Sequence, residues 1–219
     1  MTLERIINYS IIVSVIISIA KFKTTDKKFY PFYFYLWISC ANEIISDLSI
    51  YFLGTNAINS NIYVLTSSLI LVNQQCRWDS ESKKIKYYII YALILLTWIT
   101  DNLFFSKLTY FNTYNRIFIY TILILSSLYQ LSPSKRIQNY KLENEVIFFL
   151  LAIFIIKYSI TSIVEITLLC GNQLSFIFQK TTFYIIIFSS PIINLLYIMG
   201  VIWIPKKENI FWQSYSSFR

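Results

Sequence analysis

The sequence predicts an all-α, polytopic membrane protein of seven transmembrane helices, with its N-terminus outside and its C-terminus inside. Three observations carry that prediction. Hydrophobic residues make up 56% of the chain and charged residues only 14%, where a soluble domain carries about 25% charge. Seven apolar stretches approach the roughly 17–25 residues that a bilayer-crossing helix needs. Threaded alternately, they sort the basic residues to one side. The bias toward Ile, Lys, Asn, Tyr and Phe inflates hydropathy by itself, so loop charge serves as the independent test.

Taken in order, the first span is Leu3–Ala20. Glu4 and Arg5 precede its apolar run and no small-x-small cleavage site follows, so it reads as a retained span rather than a secretory signal. Tyr30–Leu53 is the second span. Asn61–Cys76 is the third and the weakest, because its apolar heart, Ile62 to Val72, ends in Asn73, Gln74 and Gln75 at the expected inner interface. Tyr87–Phe105, Tyr110–Leu131, Val146–Cys170 and Thr181–Ile204 complete the set.

This threading puts Lys21, Lys23, Lys27, Lys28, Arg77, Lys83, Lys84, Lys86, Lys135, Arg136, Lys141, Lys206, Lys207 and Arg219 inside. Only Arg5, Lys107, Arg116 and Lys180 fall outside, while Lys157 lies within a span. Deleting the third span spoils the asymmetry. The net charge of +8 then reads as the cytoplasmic excess of a membrane protein, and nucleic acid is not expected as a partner. The connections are short, and "GTNAINS" and "GNQLSFIFQ" carry no charge. Residues 1–204 therefore form one transmembrane domain. Residues 205–219 form a cytoplasmic tail that opens on Pro205. Its Phe211, Trp212, Tyr215 and Phe218 make either an amphipathic stripe for the inner membrane surface or a frayed aromatic end.

The second span holds the polar groups that matter most. Ser39, Glu43, Ser46 and Asp47 follow i, i+4, i+7 and i+8 and share one helix face. Glu43 falls near mid-membrane, with Asp47 about 6 Å further out. A charged side chain at the bilayer centre costs several kcal/mol, so this face is expected to point into the bundle. The sixth span carries Lys157, with Thr161 and Glu165 further out. Lys157 lies about 18 Å along the helix from Glu145, too deep to snorkel to the inner headgroups. Glu43 and Lys157 thus share a depth, and the economical expectation is a buried ion pair. Asp101 and Asn102 end the fourth span. Asp47, Asp101 and Glu165, with Asn59, Asn61, Asn112 and Asn115, are expected to line an outward-facing vestibule.

The candidate ligand- or ion-binding residues are therefore Glu43, Asp47, Asp101, Lys157 and Glu165. The alternative is that these groups serve only as interhelical glue, which is the expectation for Asn42. In the seventh span, Pro191 removes the hydrogen bond to the carbonyl of Ile187 and should kink the helix. Ser190 and Asn194 are placed to satisfy the freed backbone.

Several chemistries lack their residues. The chain has no histidine, the usual general base and zinc ligand, so heptahelical hydrolases with a His/Asp zinc site are excluded. The seventh span has no lysine in its body to form a retinal Schiff base. No glycine-rich phosphate loop is present. Neither a Ser/Lys nor a Cys/His pair stands out, and Cys40, Cys76 and Cys170 are scattered. The expectation is a protein that is not an enzyme and needs neither cofactor nor metal.

"ANEIISDLSIYFLGTNAINSNIYVLTSSLILVNQQCRW" resembles a segment of small heptahelical membrane proteins of Bacteroidota. The likeness rests on Glu43 in the second span, a turn holding Asn59 and Asn61, Tyr63 early in the third, and Arg77 and Trp78 closing it. Such proteins usually carry a second acid in the third span, where this chain has Ser67 and Ser68. The resemblance implies a bacterial inner-membrane location and contributes no activity.

The expected function is a receptor-like or sensor membrane protein with a small-ligand or ion site in its outer half. Its expected partners are the lipid bilayer and a cytoplasmic or membrane protein. The alternatives are a proton- or ion-coupled transporter or channel and a structural subunit of a larger membrane complex. A transporter would need two matched inverted halves with broken helices, and seven spans show neither plainly.

Overall fold

The computed structural model describes residues 9–79, 84–132, 142–171 and 174–207. The expected tail stripe lies outside the described residues. Among the described residues the chain folds into seven α-helices with no named strand. They are α1 (Ile11–Lys21), α2 (Tyr30–Leu53), α3 (Ala57–Trp78), α4 (Ile85–Ile99), α5 (Thr113–Gln130), α6 (Leu142–Leu169) and α7 (Phe176–Trp203). Three segments, Ile85–Phe105, Glu143–Leu169 and Ile177–Trp203, are long and apolar enough to cross a bilayer. The protein is thus membrane-embedded. Of the remaining helices, α1 spans only 11 described residues, and inward-facing polar residues dilute the hydropathy of α3 and α5. In α3, for instance, Asn61, Ser67, Ser68, Gln74 and Gln75 are all buried.

Local chemistry sets the ends. Pro31 occupies the first turn of α2, where its missing N–H costs nothing. Gly54 closes the helix in the left-handed conformation (φ 71°) that a glycine adopts without strain. The last turn of α4 widens into a π-helix over Thr100–Phe105, which turns Asn102 inward to 2% exposure. Ser175 caps α7 by accepting from the Phe178 N–H at 3.3 Å.

Six helices pack in a closed ring in the order α1, α2, α3, α5, α6, α7, with α1 returning to α7. Helix α4 stands outside the ring against α3 and α5. Ser14 and Ser18, both fully buried, let α1 approach its neighbours closely. Trp37 Nε1 donates to Ser18 Oγ at 2.7 Å. Gly200 brings α7 so near α6 that a Cβ there would lie 2.6 Å from Leu150 Cδ2.

One end of the ring is basic and tightly sealed. Here Phe29, Phe32, Tyr33, Leu36, Leu71, Leu150, Phe154 and Val201 form a core, each no more than 1% exposed. The Lys21 ammonium donates to the carbonyls of Val201 (2.9 Å), Ile202 (2.9 Å) and Ile204 (2.6 Å). Those carbonyls are ones that the end of α7 leaves without helical partners, so Lys21 ties α1 to α7. Lys28 pairs with Glu143. Gln74 and Gln75, expected at a span end, instead act as buried staples. Gln74 accepts from the Phe32 N–H and donates to the Lys28 carbonyl, each at 2.6 Å. Gln75 joins Ser126 and Ser127 of α5, and Gln130 reaches the Gln75 carbonyl (2.8 Å) and the Tyr87 hydroxyl (2.6 Å). Side chains thereby serve backbone and polar groups where lipid offers no partner.

Toward the opposite end the ring opens. No residue of α2 beyond Ser39 is buried, and it is in this half that the candidate site lies.

Candidate functional site

Glu43 and Lys157, placed at one depth by the sequence, line the same cavity of about 240 Å³ inside the ring. Ser39 and Glu43 come from α2, Tyr63 from α3, Lys157 and Thr161 from α6, and Ser190 and Asn194 from α7. Four aliphatic side chains, Ile11, Ile160, Val164 and Ile193, complete the wall.

The expected direct ion pair is not made. Lys157 donates instead to the Tyr35 hydroxyl. Its ammonium lies 5.0, 5.8 and 5.6 Å from the ring centroids of Tyr35, Tyr158 and Tyr197, within the distance at which a ring quadrupole attracts a cation. Tyr35 and Tyr197 share a hydroxyl–hydroxyl hydrogen bond of 3.2 Å, and Ser39 and Tyr63 share one of 2.8 Å. The phenols thus supply the first stabilisation of the half-buried ammonium and hold it away from Glu43. Glu43 lies within electrostatic reach across the cavity. Its carboxylate has no hydrogen-bond or ion-pair partner among the described residues. The cavity wall therefore carries one acidic and one basic side chain that do not touch.

The remaining candidates do not join this cavity, so the single vestibule divides into separate clusters. Asp47 accepts from the Tyr9 hydroxyl at 2.8 Å. Asp101 lines a surface recess of about 590 Å³ together with Lys107, Tyr110 and Asn112. There its Oδ1 accepts from Ser106 Oγ at 3.4 Å. Asn112 joins Asn102 at 2.6 Å. Asn59 donates to Asn42 (2.9 Å) and Ser46 (3.1 Å), an interhelical bond between α2 and α3.

Glu165 meets a residue that loop-charge counting misplaced. Arg116, expected outside the membrane, is only 7% exposed and Glu165 only 5%. Arg116 Nη1 lies 3.2 Å from Glu165 Oε1, and Nη2 donates to Ser60 Oγ (2.8 Å) and Asn61 Oδ1 (2.9 Å). Asn61 in turn donates to the carbonyls of Leu108 (3.1 Å) and Tyr110 (2.7 Å). A signal for this existed in the sequence. Arg116, Tyr120, Leu123, Ser127 and Gln130 recur at helical spacing, and all five are buried on one face of α5. Several buried atoms of this cluster, Glu165 Oε2, Arg116 Nε, Asn115 Oδ1 and Ser162 Oγ, have no hydrogen-bond partner among the described residues.

Pro191 lies inside a continuous α7, between Ser190 and Ile193 of the cavity wall. Asn194, expected to serve the freed backbone, instead donates to Ser10 Oγ at 2.8 Å. It also accepts from Ser14 through its own carbonyl at 3.5 Å, so it fastens α7 to α1. Among the described residues no group of three or more Cys, Asp or Glu is arranged to hold a metal ion.

The chemistry open to this arrangement is recognition. A partly open cavity brings one carboxyl and one amine to its wall, together with the hydroxyls of Ser39, Tyr63, Thr161 and Ser190. Comparisons of the chain with protein-family models, with curated proteins and with solved structures find no match.

Proposed function

We propose that the protein is a receptor-like membrane protein that binds a small polar ligand in the chamber between Glu43 and Lys157. One observation carries this reading: Glu43 lines a partly open cavity with no partner of its own among the described residues, opposite an ammonium held by Tyr35, Tyr158 and Tyr197. Intramembrane ionisable groups mark functional sites by default, because leaving them there costs stability. Glue would bring the two charges into contact. The chamber of about 240 Å³ is smaller than the roughly 300–1,000 Å³ of sites for drug-sized molecules, which suits a small metabolite.

The topology in this proposal is seven spans with the N-terminus outside and the C-terminus inside a bacterial inner membrane. It is supported by the charge at the two ends of the ring. Lys21, Lys23, Lys27, Lys28, Arg77, Lys84, Lys86, Lys206 and Lys207 gather at the sealed end, against Lys107 and Lys180 at the other among the described residues. Burial of Arg116 sharpens this asymmetry. The ligand then enters from outside, and the basic inner face meets a cytoplasmic or membrane protein partner.

Thermal unfolding of the detergent-purified protein, scanned against amino acids, amines, carboxylates and polyols, tests the reading. At least one class should raise the Tm of the wild type and leave a chamber-filling Thr161→Trp variant unmoved. If none of the classes moves the wild-type Tm, the reading is wrong. A second reading, a coupled carrier, is favoured by Pro191 of α7, beside the wall residues Ser190 and Ile193, where a helix lacking one backbone bond can bend. Proteoliposomes separate the two: a receptor binds without uptake, and uptake abolished by Glu43→Gln identifies a carrier.

A further inference from the structure

The geometry points to a zwitterion of the α-amino-acid class as the occupant of the chamber, its ammonium toward Glu43 and its carboxylate toward Lys157. This rests on the ligand-binding reading above and names the ligand's chemistry.

The inference follows from the charges on the cavity wall. The Lys157 ammonium has three donors and uses one on Tyr35, while the Glu43 carboxylate accepts from no donor among the described residues. A ligand carrying only a cation would satisfy Glu43 and add positive charge beside Lys157. One carrying only an anion would do the reverse. A neutral polyol would leave both wall charges without a counter-charge, which in a buried site is costly. A molecule with both charges completes two charge-assisted hydrogen bonds at once and adds no net charge.

One further feature fits. Ile11, Ile160, Val164 and Ile193 offer an apolar wall to a short aliphatic side chain.

The test uses the full chain in lipid nanodiscs and isothermal titration calorimetry with matched probes. L-alanine is compared with ethylamine and propionate, and L-valine with isobutylamine and isovalerate; 1,2-propanediol is the neutral control. An amino acid should bind at least 10-fold more tightly than either of its singly charged counterparts. Glu43→Gln should weaken the amino acid at least 10-fold and leave propionate and isovalerate within 2-fold of their wild-type Kd. Lys157→Met should do the converse, sparing the amines. If either variant fails to fold, the wild-type ranking decides alone. A singly charged or neutral probe that binds as tightly as the amino acid, and is lost in Thr161→Trp, overturns the zwitterion and leaves the ligand-binding reading standing. Equal weakening of every probe by both variants also overturns the zwitterion, since the charges would then be structural. Failure of every probe to bind the wild type removes both readings.

Discussion

The Arg116–Glu165 pair makes a sharp prediction because each residue is stranded if the other is removed. Both are more than nine-tenths buried. Among the described residues their contact, at 3.2 Å, is the only ion pair of Glu165, whose second oxygen has no partner there. Removing one member of a buried pair costs about 3–5 kcal/mol, whereas replacing both with apolar residues is often neutral. Glu165→Leu should therefore destabilise the fold by about 3–5 kcal/mol. Arg116→Met should cost about 1 kcal/mol more, since it also deprives Ser60 and Asn61 of a donor at about 0.6 kcal/mol per bond in a membrane bundle. The double variant Arg116→Met/Glu165→Leu should recover most of that loss. Reversible unfolding in mixed micelles, followed by tryptophan fluorescence, gives the three free energies and their coupling. Single losses under about 1 kcal/mol, or a double loss equal to the sum of the singles, would refute the account of a dry, mutually dependent pair.

Two other expectations concern packing and backbone satisfaction. Gly200→Ala places a Cβ 2.6 Å from Leu150 Cδ2 in a fully buried contact, and overpacking of this kind costs about 1–3 kcal/mol. It should lower the Tm despite alanine's better helix propensity, and Leu150→Val in the same chain should restore part of the loss; a Tm at or above the wild type would count against the close approach. Gln74→Leu strands the Phe32 N–H and the Lys28 carbonyl, at about 1–3 kcal/mol each. Hydrogen exchange at the start of α2 should rise sharply in that variant, and unchanged protection would contradict the staple.

Much of the fold was legible because membranes impose simple length and polarity rules. The second helix was bounded at Tyr30 and Leu53 from sequence and is found there, since Pro31 and Gly54 punctuate locally. The third was underestimated at its start. Asn59 and Ser60 read as a loop by polarity, yet they lie in α3, bonded to α2 and to Arg116. Hydropathy averages over a helix and cannot tell a polar residue facing water from one facing a partner helix.

Sequence alone determined the all-helical class and the membrane-embedded character, because a bilayer sets the length and polarity of the helices that cross it. Only the tertiary structure decided which way each helix is rotated and what stands beside it. Packing gave Lys157 to Tyr35, two turns from Glu43 on the same helix, brought Arg116 to Glu165, and divided one expected vestibule into a cavity, a buried pair and a surface recess. Those outcomes depend on packing between residues more than a hundred positions apart, such as Tyr35 with Lys157 (122 apart), and no local pattern records such a pairing.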